Sequence, residues 1–261
     1  MALLHINYMS HYLKGNTDVT IILPNCDKEP SEFYKNNTKF RVIWLLHGTY
    51  GDHTDWVRMT NIERYACENN FAVVMPSGLN SMYVNWQTFA MGYHAYDSFF
   101  KELMPMIYNW FPISSKKKDN FIAGLSMGGR GACIYAFNHP ECFAGVYSMS
   151  AVPEDLSVID TESPFYPRVK NLIDNFGGMD GYLASEMNLW RLVKEKQQEL
   201  PPLFFSCGTE DPIAYRNYVR FREYADEIGL HCTFLTLEGY SHEWKFWDLC
   251  IQDAIRQFSE L

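Results

Sequence analysis

Apolar residues in this chain fall into short unbroken blocks, separated by longer stretches in which they recur every third or fourth position. The blocks over 40–46, 71–75, 120–125, 143–149, 202–207 and 231–237 are too short for buried helices and suit strands covered on both faces. Two earlier segments, 3–8 and 18–23, read as an antiparallel β edge. Helical spacing occupies 61–69, 93–110, 127–139, 215–228 and 243–259, with Gly229 placed to terminate one helix. Strands and helices alternate, which predicts an α/β fold: a mainly parallel sheet with helices on both faces. No Pro/Gly/Ser-rich linker, repeat or charge block divides the chain, so residues 1–261 read as one domain. The interval 151–200 lies between two strands and carries its own helical pattern over 185–199. It reads as a cap-like insertion facing a substrate, the plainer alternative being a crossover with surface decoration.

Composition changes the picture mainly by exclusion. An apolar content of 47% supports a substantial core, while the net charge of −9 opposes binding to nucleic acid or to an anionic membrane surface. The first residues lack a basic region followed by a long apolar run, and no apolar stretch approaches membrane-spanning length, so the expectation is a cytoplasmic protein. Seven cysteines, an odd number without a CxxC pair, fit packed thiols better than disulfides or a zinc site. The Asn36-Asn37-Thr38 sequon carries little weight without an export signal. Monomer and homo-oligomer are both allowed.

The chemistry concentrates around Gly124-Leu125-Ser126-Met127-Gly128-Gly129, which follows an apolar strand and opens a helical pattern. A serine hydroxyl is a weak nucleophile near neutrality, so an enzyme must expose it on a tight strand-to-helix turn beside a base and backbone N–H groups. The motif alone is weak, and its context gives it force. His242 lies between the last strand and the last helix, where it can reach over Ser126 as the base. Asp211, just beyond the strand ending at Cys207, is the candidate for orienting that base, with adjacent Glu210 as its rival. Asp248 and Asp253 fall inside the last helix and read as a solvated face. For the oxyanion, Leu46-His47-Gly48-Thr49-Tyr50 ends a strand in a flexible turn, and the N–H groups of Thr49 and Met127 are the expected donors. His47 reads as a structural support for that turn. A metal site with Asp52 and His53 is disfavoured, because further ligands are not evident.

The order Ser126, Asp211, His242 is that of α/β hydrolases. Together with the His47-Gly48 turn, Asp52-His53-Thr54-Asp55-Trp56, the extended elbow through Ala132, His139-Pro140-Glu141-Cys142-Phe143, Cys207-Gly208-Thr209-Glu210-Asp211 and Ser241-His242-Glu243-Trp244, it makes the chain resemble the esterase D / tributyrin esterase family over almost its whole length. That resemblance implies the α/β-hydrolase fold and carboxylic ester hydrolysis through an acyl-enzyme. It also implies no metal or organic cofactor, and small-molecule short-chain acyl esters as substrates, often acetyl esters on carbohydrates. It favours Asp211 over Glu210, although the related mycolyltransferases use Glu. Feruloyl esterase and S-formylglutathione hydrolase are the alternatives, and the latter is weakened because a cysteine-bearing turn is missing. An acyltransferase or a catalytically silent binding protein would share the same frame. Tyr50 departs from the usual turn and is expected to narrow the acyl pocket. Trp56, Trp86 and Trp190 are expected to bind substrate by stacking.

Overall fold

The computed structural model describes residues 1–24, 39–88, 91–158, 161–162 and 165–261; the sequon at 36–38 and Cys26 lie outside the described residues. Six strands form the parallel part of the sheet, five of them with almost continuous apolar sequence: β3 (Arg41–Leu46), β4 (Phe71–Pro76), β7 (Asn120–Leu125), β8 (Gly145–Met149) and β9 (Leu203–Gly208), with β10 (Cys232–Leu237) at the far edge. They run parallel, and the antiparallel pair β1 (Ala2–Ser10) and β2 (Gly15–Leu23) extends one edge, giving the order β1-β2-β4-β3-β7-β8-β9-β10. A small hairpin, β5 (Asn85–Trp86) with β6 (Tyr93–His94), stands apart.

The pleat sends successive side chains to opposite faces, so each central strand feeds two cores. On β3, Val42, Trp44 and Leu46 enter one core while Ile43 and Leu45 enter the other. The first core is closed by the helical stretch over 95–110, which we call α3, by α4 (Met127–Asn138) and by α8 (Tyr215–Ile228). The second is closed by α2 (Ile62–Glu68) and α9 (Trp244–Glu260), with α1 (Asp55–Met59) adding Trp56. Burial on both faces explains why the central strands show no polar alternation. β1, at the edge, alternates between exposed and half-buried positions.

Three elements differ from the sequence reading. β10, expected to be covered on both faces, is the far edge strand and is only half-buried. The stretch expected to be helical from Tyr93 begins instead with β6, and α3 contains a π-helical segment, Phe99–Leu103, between α-helical ends. The helix expected over 185–199 is shorter, α7 (Leu189–Glu195), and is preceded by α5 (Tyr166–Asn175) and α6 (Met179–Ala184). Gly177 and Gly178, both at positive φ, break the pattern between α5 and α6. Gly229, with φ 66°, ends α8 in the left-handed conformation. No described helix is long and apolar enough to cross a membrane.

Candidate active site

Ser126 sits between β7 and α4 with φ 50° and ψ −116°, a sparsely populated conformation for a residue with a side chain. The surrounding glycines make the turn sterically possible. A Cβ on Gly128 would stand 2.5 Å from the carbonyl oxygen of Leu46 and 2.6 Å from that of His47, and one on Gly124 would collide with the Gly128 backbone. These close approaches let the first turn of α4 rest directly on the ends of β3 and β7. The chain is then pinned on either side of the serine. Ser126 N–H donates to Met149 O at 2.7 Å, and Arg130 N–H donates to Ser126 O at 3.1 Å.

Asp211 and His242 arrive from the loops after β9 and β10. Nε2 of His242 lies 3.0 Å from Ser126 Oγ, and its Nδ1 lies 2.7 Å from Asp211 Oδ2. An ionised carboxylate only accepts, so Nδ1 carries the proton and Nε2 is free to receive one from the serine. The second oxygen, Asp211 Oδ1, accepts the N–H groups of Ile213 and Ala214 at 2.9 and 2.8 Å. Burial by itself would raise the Asp211 pKa. The hydrogen bond and charge of His242, aided by those two N–H donors, outweigh it and hold the carboxyl below the usual range. Glu210 is exposed, and the contact with His242 belongs to Asp211. Trp247 meets the His242 ring edge-on at 5.0 Å, and its Nε1 donates to Ser150 Oγ at 3.1 Å.

On the other side of Ser126, the turn after β3 is closed by Gly51 N–H donating to Gly48 O at 3.3 Å, which leaves the intervening Thr49 N–H outside that bond. Met127 is the first residue of α4, so its N–H has no intrahelical acceptor. Gly48, Thr49, Ser126 and Met127 all line one cavity of about 1350 Å³. His47 supports the turn from behind. Its Nε2 accepts Gly78 N–H at 2.8 Å, which places the proton on Nδ1, and Nδ1 donates to Gly48 O at 2.6 Å. Burial lowers its pKa, and both ring nitrogens are taken by the protein.

The expected aromatic platform is largely corrected. Trp56 is fully buried, donates Nε1 to Leu46 O at 3.2 Å and packs edge-on against Trp244, so it belongs to the core rather than to the substrate. Trp86 donates Nε1 to Ser81 O at 2.7 Å and packs on the first core outside the cavity lining. Tyr50 does line the cavity, but with 92% of its surface exposed it stands at the rim. Trp190 lines the cavity too, with its ring stacked on Tyr224 at 4.0 Å and capped by the Arg220 guanidinium. Arg130 and Arg168, absent from the sequence reading of the site, also line the cavity. Arg130 could have been found, because it follows Ser126 by one helical turn.

Strand order, elbow and the Ser126, His242, Asp211 relay together define an α/β-hydrolase of the serine-dependent kind. The esterase family model described as "Putative esterase" matches residues 10–199, and the chain belongs to that family. It is a carboxylic ester hydrolase. Full-length relatives agree: an "Acetyl esterase" of Caldicellulosiruptor saccharolyticus is 29% identical, the match spanning 100% of this chain and 99% of that protein. The solved structure of FphF, a fluorophosphonate-binding serine hydrolase of Staphylococcus aureus, is 30% identical with a TM-score of 0.83, covering 99% of this chain and 98% of that one. The S-formylglutathione hydrolase FrmB of the same organism is 30% identical with a TM-score of 0.81 over the same shares.

Proposed function

We propose that the protein hydrolyses short-chain acyl esters, of the acetyl-ester type, by a two-step acyl-enzyme route on Ser126. The carrying observation is the continuous relay from Asp211 through His242 to Ser126, joined by contacts of 2.7 and 3.0 Å. His242 takes the hydroxyl proton as Ser126 Oγ attacks the ester carbonyl, and Asp211 holds the imidazole tautomer and stabilises its charged form. The N–H groups of Thr49 and Met127 receive the negative charge that develops on the carbonyl oxygen; fixed backbone dipoles do this without reorganising. The imidazolium then returns the proton to the leaving alcohol, and a water molecule repeats the sequence on the acyl-enzyme.

The acyl preference is supported by the full-length likeness to an acetyl esterase and by the resemblance to tributyrin esterases. The helices α5 to α7, between β8 and β9, act as the cap: Arg168 and Leu172 of α5 and Trp190 of α7 line the cavity that holds Ser126. Cys133, Cys142, Cys207, Cys232 and Cys250 are free thiols, which supports placement in a reducing, cytoplasmic compartment. A second reading, thioester hydrolysis on S-formylglutathione, draws on the FrmB likeness. Aryl esters from acetyl to octanoyl, acetylated xylan fragments, methyl ferulate and S-formylglutathione, compared by kcat/KM, test both. Highest turnover on acetyl to butyryl esters is expected. A preference for S-formylglutathione would install the second reading, and a preference for ferulate or long chains would overturn the first.

A further inference from the structure

Two arginines in the wall of the catalytic cavity keep unspent hydrogen-bonding capacity. Arg168, on α5, donates Nη1 to Thr49 Oγ1 at 2.6 Å, while its Nη2 is buried without a hydrogen-bond partner among the described residues. Arg130, on α4, reaches the Tyr182 hydroxyl and the Met187 carbonyl oxygen with Nη2, both at 3.5 Å, and its Nη1 is likewise buried and unpartnered. Among the described residues neither guanidinium forms an ion pair, whereas Arg220 of the same cavity is neutralised by Asp155 at 2.8 Å. Burial pulls the Arg168 pKa down, and the neighbouring Arg130 charge pulls in the same direction. Glu154, which faces Arg130, is bonded to Asn217 at 3.0 Å. Burial raises its pKa above the carboxylate norm, against the opposing pull of Arg130 and Asn217.

Two like charges with orphaned donors in a partly dry wall cost free energy that folding must offset, and such groups ordinarily find a partner. A guanidinium's planar N–H donors match carboxylate geometry, and one free nitrogen on each arginine supplies two donors for two oxygens. We propose that Arg168, with Arg130 beside it, forms an anion subsite of the catalytic cavity that selects esters carrying a carboxylate group. The inference rests on the ester-hydrolase reading of Ser126. It runs against the net charge of −9, which repels anions from the molecule as a whole, so a preference for them must come from local recognition.

The carboxylate can belong to the leaving alcohol or to the acyl group, and two substrate pairs separate these sources. For the alcohol side, 4-acetoxybenzoate is compared with 4-acetoxybenzamide; for the acyl side, monoethyl adipate with ethyl hexanoate. Each kcat/KM is divided by the rate of the same ester with hydroxide. In the wild-type enzyme the carboxylate member of one pair is expected to lead by about tenfold or more, and Arg168→Met to bring that ratio to about one. The ratio is internal to each variant, so a general loss of activity through Thr49 does not mimic it. Ratios of about one in both wild-type pairs, or a ratio unchanged in Arg168→Met, would overturn the subsite. Calorimetry on Ser126→Ala protein with 4-hydroxybenzoate and 4-hydroxybenzamide reads the same preference without turnover. Preferential carboxylate binding there, with no ester hydrolysed by the wild type, would overturn the esterase reading alone; equal binding of the two phenols together with a ratio of about one for the adipate pair would overturn the subsite alone.

Discussion

Two parts of one cavity are built on opposite terms. Where the strands end, polar groups are matched: Asp211 Oδ1 takes two N–H donors, Oδ2 takes the imidazole, and Ser126 closes the relay. In the wall formed by α4 and α5, Arg130 and Arg168 each keep a buried nitrogen without a partner among the described residues. The relay in the first region needs no help from a substrate, because its hydrogen bonds are complete before anything binds. The second is completed only by a ligand. With the proposed anion subsite, a cavity divided in this way separates the chemistry, fixed at the strand ends, from the choice of substrate, made on α4 and α5.

The sharpest way to break this contrast is to remove the nucleophile. Ser126→Ala should lower kcat by about 10⁶ and abolish covalent labelling by a fluorophosphonate, while circular dichroism stays unchanged. Labelling at the wild-type rate would move the nucleophile elsewhere. Asp211→Asn should cost about 10⁴ in kcat, since an amide can fix the wrong imidazole tautomer. It should also change acid stability. The depressed Asp211 pKa means its ionised form stabilises the fold above about pH 3.9 and loses that contribution as pH falls through the lower native value, a loss the Asn variant does not share.

Smaller effects probe the supports. Gly128→Ala should destabilise the fold by about 1 to 3 kcal/mol in urea titrations and reduce activity in step, because its Cβ would press on two backbone oxygens at the end of β3 and the turn beyond it. An unchanged midpoint would show that the elbow has more room than its contacts indicate. The smallest change is expected at His47. Burial holds its pKa below the unfolded value, so the unfolded chain binds the extra proton first and stability falls as pH drops below about 6.5. Melting temperatures of wild type and His47→Gln, measured from pH 8 to pH 5, should differ in slope there, the variant being flatter. Parallel slopes would remove His47 from the acid response.

Most of the frame was readable because it depends on local pattern. Apolar runs marked β3, β4, β7, β8 and β9, and the glycines around Ser126 marked a turn that backbone packing then explains. The wall was less readable. Trp56 and Trp86 look alike in sequence to a substrate platform, yet their indole N–H groups are spent on Leu46 and Ser81, a fact fixed by tertiary packing alone. Arg168 belongs to no motif in the sequence, and its place in the wall follows from the approach of α5 to the Thr49 turn. Tyr93 carried the helical spacing but pairs with Trp86 in a hairpin, because spacing cannot register a partner that distant turns bring alongside.

The backbone of Ser126 has a further consequence. A serine held at φ 50° relaxes once its surroundings loosen, and the groups that activate it, Asp211 and His242, come from far along the chain. Reactivity at this hydroxyl is therefore a global property of the molecule. Covalent capture of Ser126 counts natively assembled chains, and its rate in rising denaturant would report the population of the fully formed sheet as directly as any spectroscopic signal.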